Sequence, residues 1–289
     1  MGRLPNGPGA PVSLSGRLGC GPADRLLIVN CDDLGVSHSA NVATHEAMTL
    51  GIATSATLMV PCPWSREAAE LLAGFPVGVH LTRTSEYGDY RWRGLTSGRS
   101  LHDAQGFLPA TAEAALVCLG AEDAEAECRA QVETALSWGI DVTHLDSHMD
   151  VKHGRPDLYE VYLDLAERFR VPVRMVAADP IEGFGLEARH RARARGVLFP
   201  DHIIYPWPER TKDVLFEQVP KLAAGVTEVF LHPVQDGDEL RSYDQVYAGI
   251  RTHDASCLVD HEVRELLDDY LVERISYREL RDAQRRQDC

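Results

Sequence analysis

The sequence LLIVNCDDLG, which runs from Leu26 to Gly35, is the stretch that decides the fold. Its first five residues form a short, mostly apolar run, which is typical of a β-strand buried on both faces. Asp32 and Asp33 follow at the carboxyl end of this strand. Two neighbouring carboxylates repel each other, so a cation beside them would stabilise the pair. The alternative is a surface turn or a helix N-cap, which Asp and Gly also favour, although the apolar strand before them argues against it.

Strands and helices alternate along the rest of the chain. Further strands are predicted at residues 56–60, 77–81, 143–147, 171–176, 228–232 and 275–276. Helices are predicted at residues 39–50, 64–73, 111–138 with a potential break at Gly120, 157–168, 186–195, 212–219, 243–251, 259–271 and 277–285, and residues 83–109 form a long loop. This alternation predicts one α/β domain over residues 25–289 with mostly parallel strands. Residues 1–24 are rich in Gly, Pro and Ser and are predicted to be a flexible N-terminal extension.

The composition excludes several classes of protein. The 289 residues include 44 Asp and Glu against 29 Lys and Arg, a net charge of −15. This acidic balance argues against a nucleic-acid-binding protein, which would show a basic face, and no apolar run is long enough for a membrane helix. Seven cysteines without a CxxC pair predict free thiols. Because residues 1–24 lack the apolar core of a signal peptide, a cytoplasmic location is expected.

Polar residues recur where predicted strands end, which is the rim where parallel α/β barrels build active sites. In residues 143–148, THLDSH, strand alternation places His144, Asp146 and His148 on one face, where a metal or mutual pairing would satisfy them. The alternative is a polar edge strand. His80 lies within an apolar run and is either a ligand or a core histidine. His232 ends a strand, where it could exchange protons near neutral pH or cap the strand.

Two further features accompany these strand ends. Arg174 lies within an apolar strand, and a buried arginine usually has a carboxylate partner, for which the aspartate pair or Asp146 is a candidate. The long loop after His80 carries Tyr87, Tyr90 and Trp92. Such aromatic side chains either stack on sugar rings at the rim of a pocket or form a small core within the loop.

Six segments together resemble the YdjC-like carbohydrate deacetylases, which are related to the NodB-type polysaccharide deacetylases. They are LIVNCDDLG at 27–35, GIATSATLMV at 51–60, GVHL at 78–81, THLDSH at 143–148, FLHP at 230–233 and ISYREL at 275–280. The resemblance implies a single-domain distorted (β/α) barrel. It also implies an enzyme that uses one divalent metal ion to hydrolyse the N-acetyl group of an amino sugar.

The resemblance also implies roles for individual residues. Asp33, His80 and His148 would be metal ligands, Asp32 the general base, His232 the general acid, and Arg174 the residue that holds Asp32. Asp146 and Asp150 are expected near the substrate, and Asp146 could instead orient a histidine. Asp150 and Lys152 stand where family members commonly have histidines, so contacts with the substrate are expected to differ here.

The expected partners follow from these assignments. Oxygen and nitrogen ligands together suit Zn²⁺ best, with Mg²⁺, Mn²⁺ or Ni²⁺ as alternatives. The expected substrate is an N-acetylated amino sugar, either in an oligosaccharide or on a larger natural product, and a homodimer is left open. Two other functions are considered, a phosphoesterase on the same barrel and a catalytically silent sugar-binding protein. Binding alone would need neither an acid nor a base, so Asp32 and His232 together argue against the silent protein.

Overall fold

One parallel sheet organises the protein. The computed structural model describes residues 13–175 and 185–286. Its seven strands are β1 Arg25–Leu34, β2 Ser55–Leu58, β3 Val77–Leu81, β4 Leu145–Ser147, β5 His202–Ile204, β6 Gly225–Leu231 and β7 Val272–Arg274. The strand order is β4-β3-β2-β1-β6-β5, β7 pairs with the first residues of β1, and every pairing is parallel. The predicted single-domain distorted (β/α) barrel with mostly parallel strands is confirmed.

Helices surround this sheet and connect its strands. They are α1 Leu14–Arg17, α2 His38–Leu50, α3 Ser65–Leu71, α4 Ala112–Cys118, α5 Ala121–Ser137, α6 Pro156–Phe169, α7 Gly185–Ala194, α8 Thr211–Gln218, α9 Asp238–Tyr243, α10 Ala248–Leu258, α11 His261–Asp269 and α12 Tyr277–Arg286. The predicted break near Gly120 is confirmed, because α4 and α5 flank it. None of the helices in the described ranges combines the length and the apolar character that a membrane crossing needs.

Strand β1 is the centre of the molecule. All of its residues except Arg25 are buried, because β2 and β7 pair along one edge and β6 pairs along the other. A strand with neighbours on both edges and layers on both faces must be apolar, as the run LLIV is. The carboxyl ends of β1, β3, β4 and β6 therefore meet at one end of the barrel, where the polar residues follow.

Two predicted strands differ from the structure. The segment 171–175 forms only a single bridge between Val173 and Leu145, and residue 176 lies outside the described residues. Pro172 explains the difference, since proline cannot donate a hydrogen bond to a sheet ladder. The last strand lies at Val272–Arg274 and not at residues 275–276, and the short strand β5 is absent from the sequence prediction.

Helix α1 lies within the segment predicted to be the N-terminal extension. Its Leu14, together with Leu18 and Cys20, packs against a small apolar cluster that includes Leu26 and Ile28 of β1. Residues 1–12 lie outside the described residues, and the division of the chain at residue 24 stays a prediction. The six described cysteines, Cys20, Cys31, Cys62, Cys118, Cys128 and Cys257, are free thiols.

We expect a Gly78→Ala substitution to destabilise the protein. A Cβ atom at Gly78 in β3 would lie 2.5 Å from Nδ1 of His144 and 2.6 Å from its backbone oxygen. Such overpacking costs about 1–3 kcal/mol of unfolding free energy, so thermal unfolding should show a Tm several degrees below wild type. The control is Gly249→Ala in α10, where a Cβ would meet nothing within 4 Å and alanine favours the helix. Equal Tm values for the two variants would contradict the packing argument.

Candidate active site

The carboxyl ends of the strands surround one cavity of about 930 Å³. Asp32 and Asp33 end β1, His80 is in β3, and His148 follows β4. His232 follows β6. The side chains that the sequence predicts to act in catalysis or metal binding all line this cavity: Asp32, Asp33, His80, His148, Arg174 and His232. The parallel sheet thus brings together residues that are up to two hundred positions apart in the sequence.

Three buried side chains aim ligand atoms at a common point. Oδ1 of Asp33 lies 3.4 Å from Nε2 of His80 and 3.2 Å from Nδ1 of His148, and the two nitrogens are 3.3 Å apart. Ligand atoms of a tetrahedral site with metal bonds of about 2.0–2.1 Å are about 3.3–3.4 Å apart. The buried Oδ1 of Asp33 accepts no hydrogen bond of ordinary geometry from the described residues. These atoms could therefore hold one metal ion.

Carboxylates orient both of these histidines from outside. Asp146 lies 2.6 Å from Nδ1 of His80, and Glu86 lies 3.1 Å from Nε2 of His148. Each contact leaves the opposite ring nitrogen facing the common point, as in metal sites whose histidines are fixed by a carboxylate. Asp146 is fully buried behind His80 and is not part of the cavity wall. Asp146 therefore contacts His80 from behind and does not itself line the cavity.

These carboxylates also change the protonation of the imidazoles. Burial lowers the pKa of a histidine, but Asp146, Asp33 and Asp32 outweigh burial and raise the pKa of His80 to about 9. Glu86 and Asp33 likewise outweigh burial and raise the pKa of His148 to about 10. The raised pKa values mean that a metal ion would compete with protons for these two ring nitrogens.

Arg251 secures the second oxygen of Asp33. Its Nη1 lies 2.8 Å from Oδ2 of Asp33, its Nε bonds Asp244 at 2.8 Å, and its Nη2 bonds the Tyr87 hydroxyl at 2.9 Å. Burial opposes ionisation of Asp33, but the charges of His232 and Arg251 and the close approach of the His148 and His80 imidazoles hold its pKa well below its usual range. The sequence analysis missed Arg251, because one arginine in a predicted helix has no pattern that separates it from a solvent-exposed residue.

Arg174 binds Asp32 through two parallel hydrogen bonds. Its Nη1 and Nη2 lie 2.6 and 2.7 Å from the two carboxylate oxygens of Asp32. The same guanidinium lies 2.9 Å from Asp146 and 2.8 Å from Glu228. Both partners suggested by the sequence, the aspartate pair and Asp146, thus contact Arg174. The sequence analysis missed Glu228. A carboxylate within the apolar strand β6 could have indicated a buried partner for Arg174.

His232 stands beside Asp32 at the cavity wall. Its Nε2 is 4.0 Å from Oδ2 of Asp32. Its Nδ1 is buried and has no hydrogen-bond partner within the described part of the chain. Burial lowers the pKa of His232, although the charges of Asp33 and Asp32 act in the opposite direction. The His232 imidazole therefore lies near the Asp32 carboxylate without a hydrogen bond to it, an arrangement that suits a group that exchanges protons.

The remaining predicted residues divide between the cavity and the core. Tyr87 lines the cavity, but Tyr90 and Trp92 are not part of its wall. Trp92 is buried and donates to the backbone oxygen of Thr84 at 2.8 Å, and the Tyr90 ring stacks on Tyr243 at 5.3 Å. The small-core alternative therefore describes Tyr90 and Trp92.

Of two other predicted residues, Asp150 lines the cavity and His144 does not. Asp150 is exposed at the cavity mouth, with a left-handed φ of 56°, so it can meet a substrate. His144 is buried and stacks on Tyr277 with a centroid distance of 3.7 Å, and burial lowers its pKa to about 3. Of the three residues predicted on one strand face, only Asp146 and His148 reach the site.

Several aromatic residues that the sequence analysis did not single out also line the cavity, among them three that lie outside the strands and helices. Tyr205, Trp207 and Tyr247 line the cavity on the side of His232. Tyr205 and Trp207 follow β5 in a segment interrupted by prolines, where no hydrophobic period indicates which side chains face inward. Tyr247 precedes α10. Only the tertiary fold brings them to the site.

Comparisons with known proteins agree with the resemblance. The family model described as YdjC-like protein matches residues 26–269. A carbohydrate deacetylase of Geobacillus stearothermophilus is 35% identical over 260 residues, which is 88% of this chain and 98% of that protein. A carbohydrate deacetylase of Thermus thermophilus is 42% identical over 61% of each chain.

A solved structure is similar in fold. It is the "putative cellobiose-phosphate cleavage protein" of Enterococcus faecalis V583, with a TM-score of 0.80, 24% identity, and coverage of 89% of this chain and 99% of that one. At that identity the similarity concerns the fold alone. The family model and the relative from Geobacillus stearothermophilus each span most of the chain and lead to one conclusion: the chain belongs to the YdjC-like family.

Proposed function

We propose that the protein is a metal-dependent carbohydrate deacetylase that removes the N-acetyl group of an amino sugar. One observation carries the proposal. The three candidate ligand atoms, 3.2–3.4 Å apart, share a cavity with a separate carboxylate and a separate imidazole that lie 4.0 Å from each other. Amide hydrolysis needs these parts: a site that activates water, a base and an acid. The relatives named carbohydrate deacetylase support the assignment.

Asp33, His80 and His148 are the residues that would hold the ion. Three protein ligands leave positions open for water and substrate, and the mixed oxygen and nitrogen set suits Zn²⁺, with Mg²⁺, Mn²⁺ or Ni²⁺ as alternatives. When bound, a divalent ion polarises the acyl oxygen and lowers the pKa of water.

Asp32 is placed to accept the proton of the attacking water. Its Oδ1 already accepts hydrogen bonds from Arg174 and from the amide of Asn30, at 2.7 and 2.8 Å. Its Oδ2 accepts a bond from Arg174 at 2.6 Å and faces His232. Since a carboxylate oxygen has two lone-pair sites, Oδ2 keeps one site for a proton, while Arg174 fixes the orientation of the group.

His232 is placed to deliver a proton to the leaving nitrogen. An amine anion is a poor leaving group, so the C–N bond breaks only as the nitrogen is protonated. The His232 ring lies next to the general base and on the wall of the same cavity. Asp32 can therefore accept a proton from the attacking water, and His232 can donate a proton to the leaving nitrogen.

Release of acetate is the direct test of this function. Purified protein reconstituted separately with Zn²⁺, Mg²⁺, Mn²⁺ or Ni²⁺ should release acetate from at least one member of a panel of N-acetylated amino sugars and their glycosides. Chelation should abolish the release. Phosphate release from sugar phosphates, with no acetate from any N-acetyl compound, would overturn the proposal in favour of a phosphoesterase.

Substitutions of the two neighbouring aspartates, Asp32 and Asp33, should separate an effect on metal binding from an effect on turnover. Asp33→Asn should weaken metal binding because Asp33 supplies a ligand oxygen, and His80→Ala and His148→Ala should lose the metal. Asp32→Asn should keep about one ion per chain and lose most of its activity. Metal content by elemental analysis and kcat by acetate release distinguish the variants. Full metal occupancy in His80→Ala and His148→Ala would reject the ligand assignment.

A His232→Ala variant should lose about 10²–10⁴-fold in kcat/KM, which is the usual contribution of general acid catalysis. Its metal content should stay normal. An activated acetyl ester, whose leaving group needs less protonation, should lose less rate than the amide. Equal losses for ester and amide, or loss of the metal, would remove His232 from the role of acid.

Arg251 is expected to position the metal ligand Asp33. Arg251→Lys keeps the charge but not the fork of donors that joins Asp33, Asp244 and Tyr87. We expect a 10–100-fold weaker Zn²⁺ affinity, about the usual effect of losing a group that orients a ligand, measured by competition with a chelator. Arg278→Lys, in α12 and outside the cavity wall, is the matched control. Unchanged affinity in Arg251→Lys would show that Asp33 needs no such support.

A further inference from the structure

The Tyr87 hydroxyl lies beside the candidate metal ligands. Arg251 joins the two, because its Nη1 lies 2.8 Å from Oδ2 of Asp33 and its Nη2 lies 2.9 Å from the Tyr87 oxygen. Glu86, the preceding residue, lies 3.1 Å from Nε2 of His148. Tyr87 and Arg251 both line the cavity. The loop after β3 therefore brings the phenol within one guanidinium of Asp33.

The contact with Arg251 determines how the Tyr87 hydroxyl can act. A guanidinium only donates hydrogen bonds, so the Tyr87 oxygen is the acceptor and its O–H proton points elsewhere. Within the described part of the chain, this hydroxyl has no residue that accepts its proton. Tyr87 is 8% exposed, and a buried donor without an acceptor costs free energy. The acceptor must therefore enter through the cavity that Tyr87 lines.

Two neighbouring rings fix the phenol in place. Trp92 and Tyr243 pack edge-on against Tyr87, with ring centroids 6.0 and 4.9 Å away. Burial raises the pKa of Tyr87 well above its usual range, although Arg251 acts in the opposite direction, so the hydroxyl keeps its proton at neutral pH. Tyr87 is thus a neutral donor whose position is set before a ligand binds. Such preorganised donors stabilise negative charge that develops during a reaction.

We infer that the Tyr87 hydroxyl donates a hydrogen bond to the acyl oxygen of the substrate and stabilises the negative charge that this oxygen acquires during hydrolysis. This inference rests on the proposed deacetylase function and adds a catalytic residue to it.

The hydrogen bond is made while the substrate is tetrahedral. As the water oxygen bonds to the acyl carbon, one electron pair of the C=O bond moves to the acyl oxygen, and Asp32 takes a proton from the water. Tyr87 stabilises the resulting oxyanion and transfers no proton. The electron pair then re-forms the C=O bond as the C–N bond breaks, and His232 protonates the departing nitrogen.

Tyr87→Phe tests this inference because it removes the hydroxyl and keeps the ring. We expect kcat for acetate release to fall about 10²-fold, the lower end of the usual effect of losing one such donor, because a divalent ion in the site would share the charge. KM should change little, since the hydrogen bond strengthens only as charge develops on the oxygen.

Tyr90→Phe is the matched control. Tyr90 belongs to the same group of aromatic rings, but its hydroxyl donates to the backbone oxygen of Val36 at 2.7 Å and it does not line the cavity. Its kcat should equal that of wild type, and thermal unfolding should show that both variants fold. Equal kcat values for Tyr87→Phe and wild type would overturn the inference.

Metal affinity separates the inferred role from simple support of Arg251. In Tyr87→Phe, Arg251 keeps its bonds to Asp33 and Asp244. Competition with a chelator should therefore give a Zn²⁺ affinity near that of wild type, in contrast to the 10–100-fold loss expected for Arg251→Lys. A much weaker Zn²⁺ affinity with an unchanged kcat at saturating Zn²⁺ would show that Tyr87 only supports Arg251, which contradicts the inference.

A binding measurement distinguishes failure of this inference from failure of the proposed function. If wild type releases no acetate with any of the four metals, the deacetylase proposal fails. Calorimetric titration of the zinc-loaded proteins with methylphosphonate, a tetrahedral oxyanion, then tests whether Tyr87 donates to an oxyanion in this cavity. Binding about 10-fold or more weaker to Tyr87→Phe than to wild type and Tyr90→Phe, the effect of losing one hydrogen bond to a charged group, would support the donor role. No binding, or equal binding to all three proteins, would overturn it.

Discussion

The guanidinium of Arg174 holds three buried carboxylates, and the rest of the site depends on this interaction. Asp32, Asp146 and Glu228 lie within 2.6–2.9 Å of its nitrogens, and the Phe230 ring covers it at 4.3 Å. Through Asp146 the same arginine reaches His80, so Asp32, the proposed general base, and a candidate metal ligand share one anchor. Tyr277 completes the cluster by donating to Glu228 at 2.6 Å. Removal of one partner from a buried ion pair costs about 3–5 kcal/mol, so the cluster constrains both the fold and the site.

A second arginine, Arg251, gives the two adjacent aspartates different environments. Asp32 is bound by Arg174 and Asp33 by Arg251, so the two carboxylates have different orientations and environments although they are neighbours in β1. Asp33 has a φ of 59°, a left-handed conformation that is costly for a residue with a side chain. This turn at the strand end directs Asp33 towards His80 and His148 while Asp32 stays with Arg174. The strain is offset by the contacts that both side chains gain.

Local sequence patterns predicted the elements of the fold better than the contacts between them. The apolar runs predicted β1, β3 and β6, because a buried strand needs apolar residues wherever it occurs. Motif resemblance singled out Asp33, His80 and His148, which the barrel brings together. Arg251, Glu228 and Trp207 escaped because their roles depend on partners far along the chain, which no local period reveals. The aromatic residues of the long loop show that a local pattern can also leave two roles open. The sequence allowed Trp92 either to stack on a sugar or to form part of a loop core, and in the structure its indole N–H donates to the backbone oxygen of Thr84 inside the loop. Only the tertiary fold decides between these alternatives.

The two halves of the site have different structural origins, which has a consequence for how substrate choice can change. The candidate ligands and the base stand on strand ends whose buried ion pairs leave little freedom. Tyr205 and Tyr247 stand on connections outside the strands and helices, have exposed rings, and belong to none of those ion pairs. Replacing either ring therefore alters the surface that meets the substrate without disturbing Arg174 or Arg251. His232 joins the two halves, since its ring contacts Trp207 and Phe230 in the cavity wall and its Nε2 faces Asp32. If His232 transfers a proton as proposed, contact of a substrate with Trp207 or Phe230 and proton transfer at the amide would be coupled through this one imidazole.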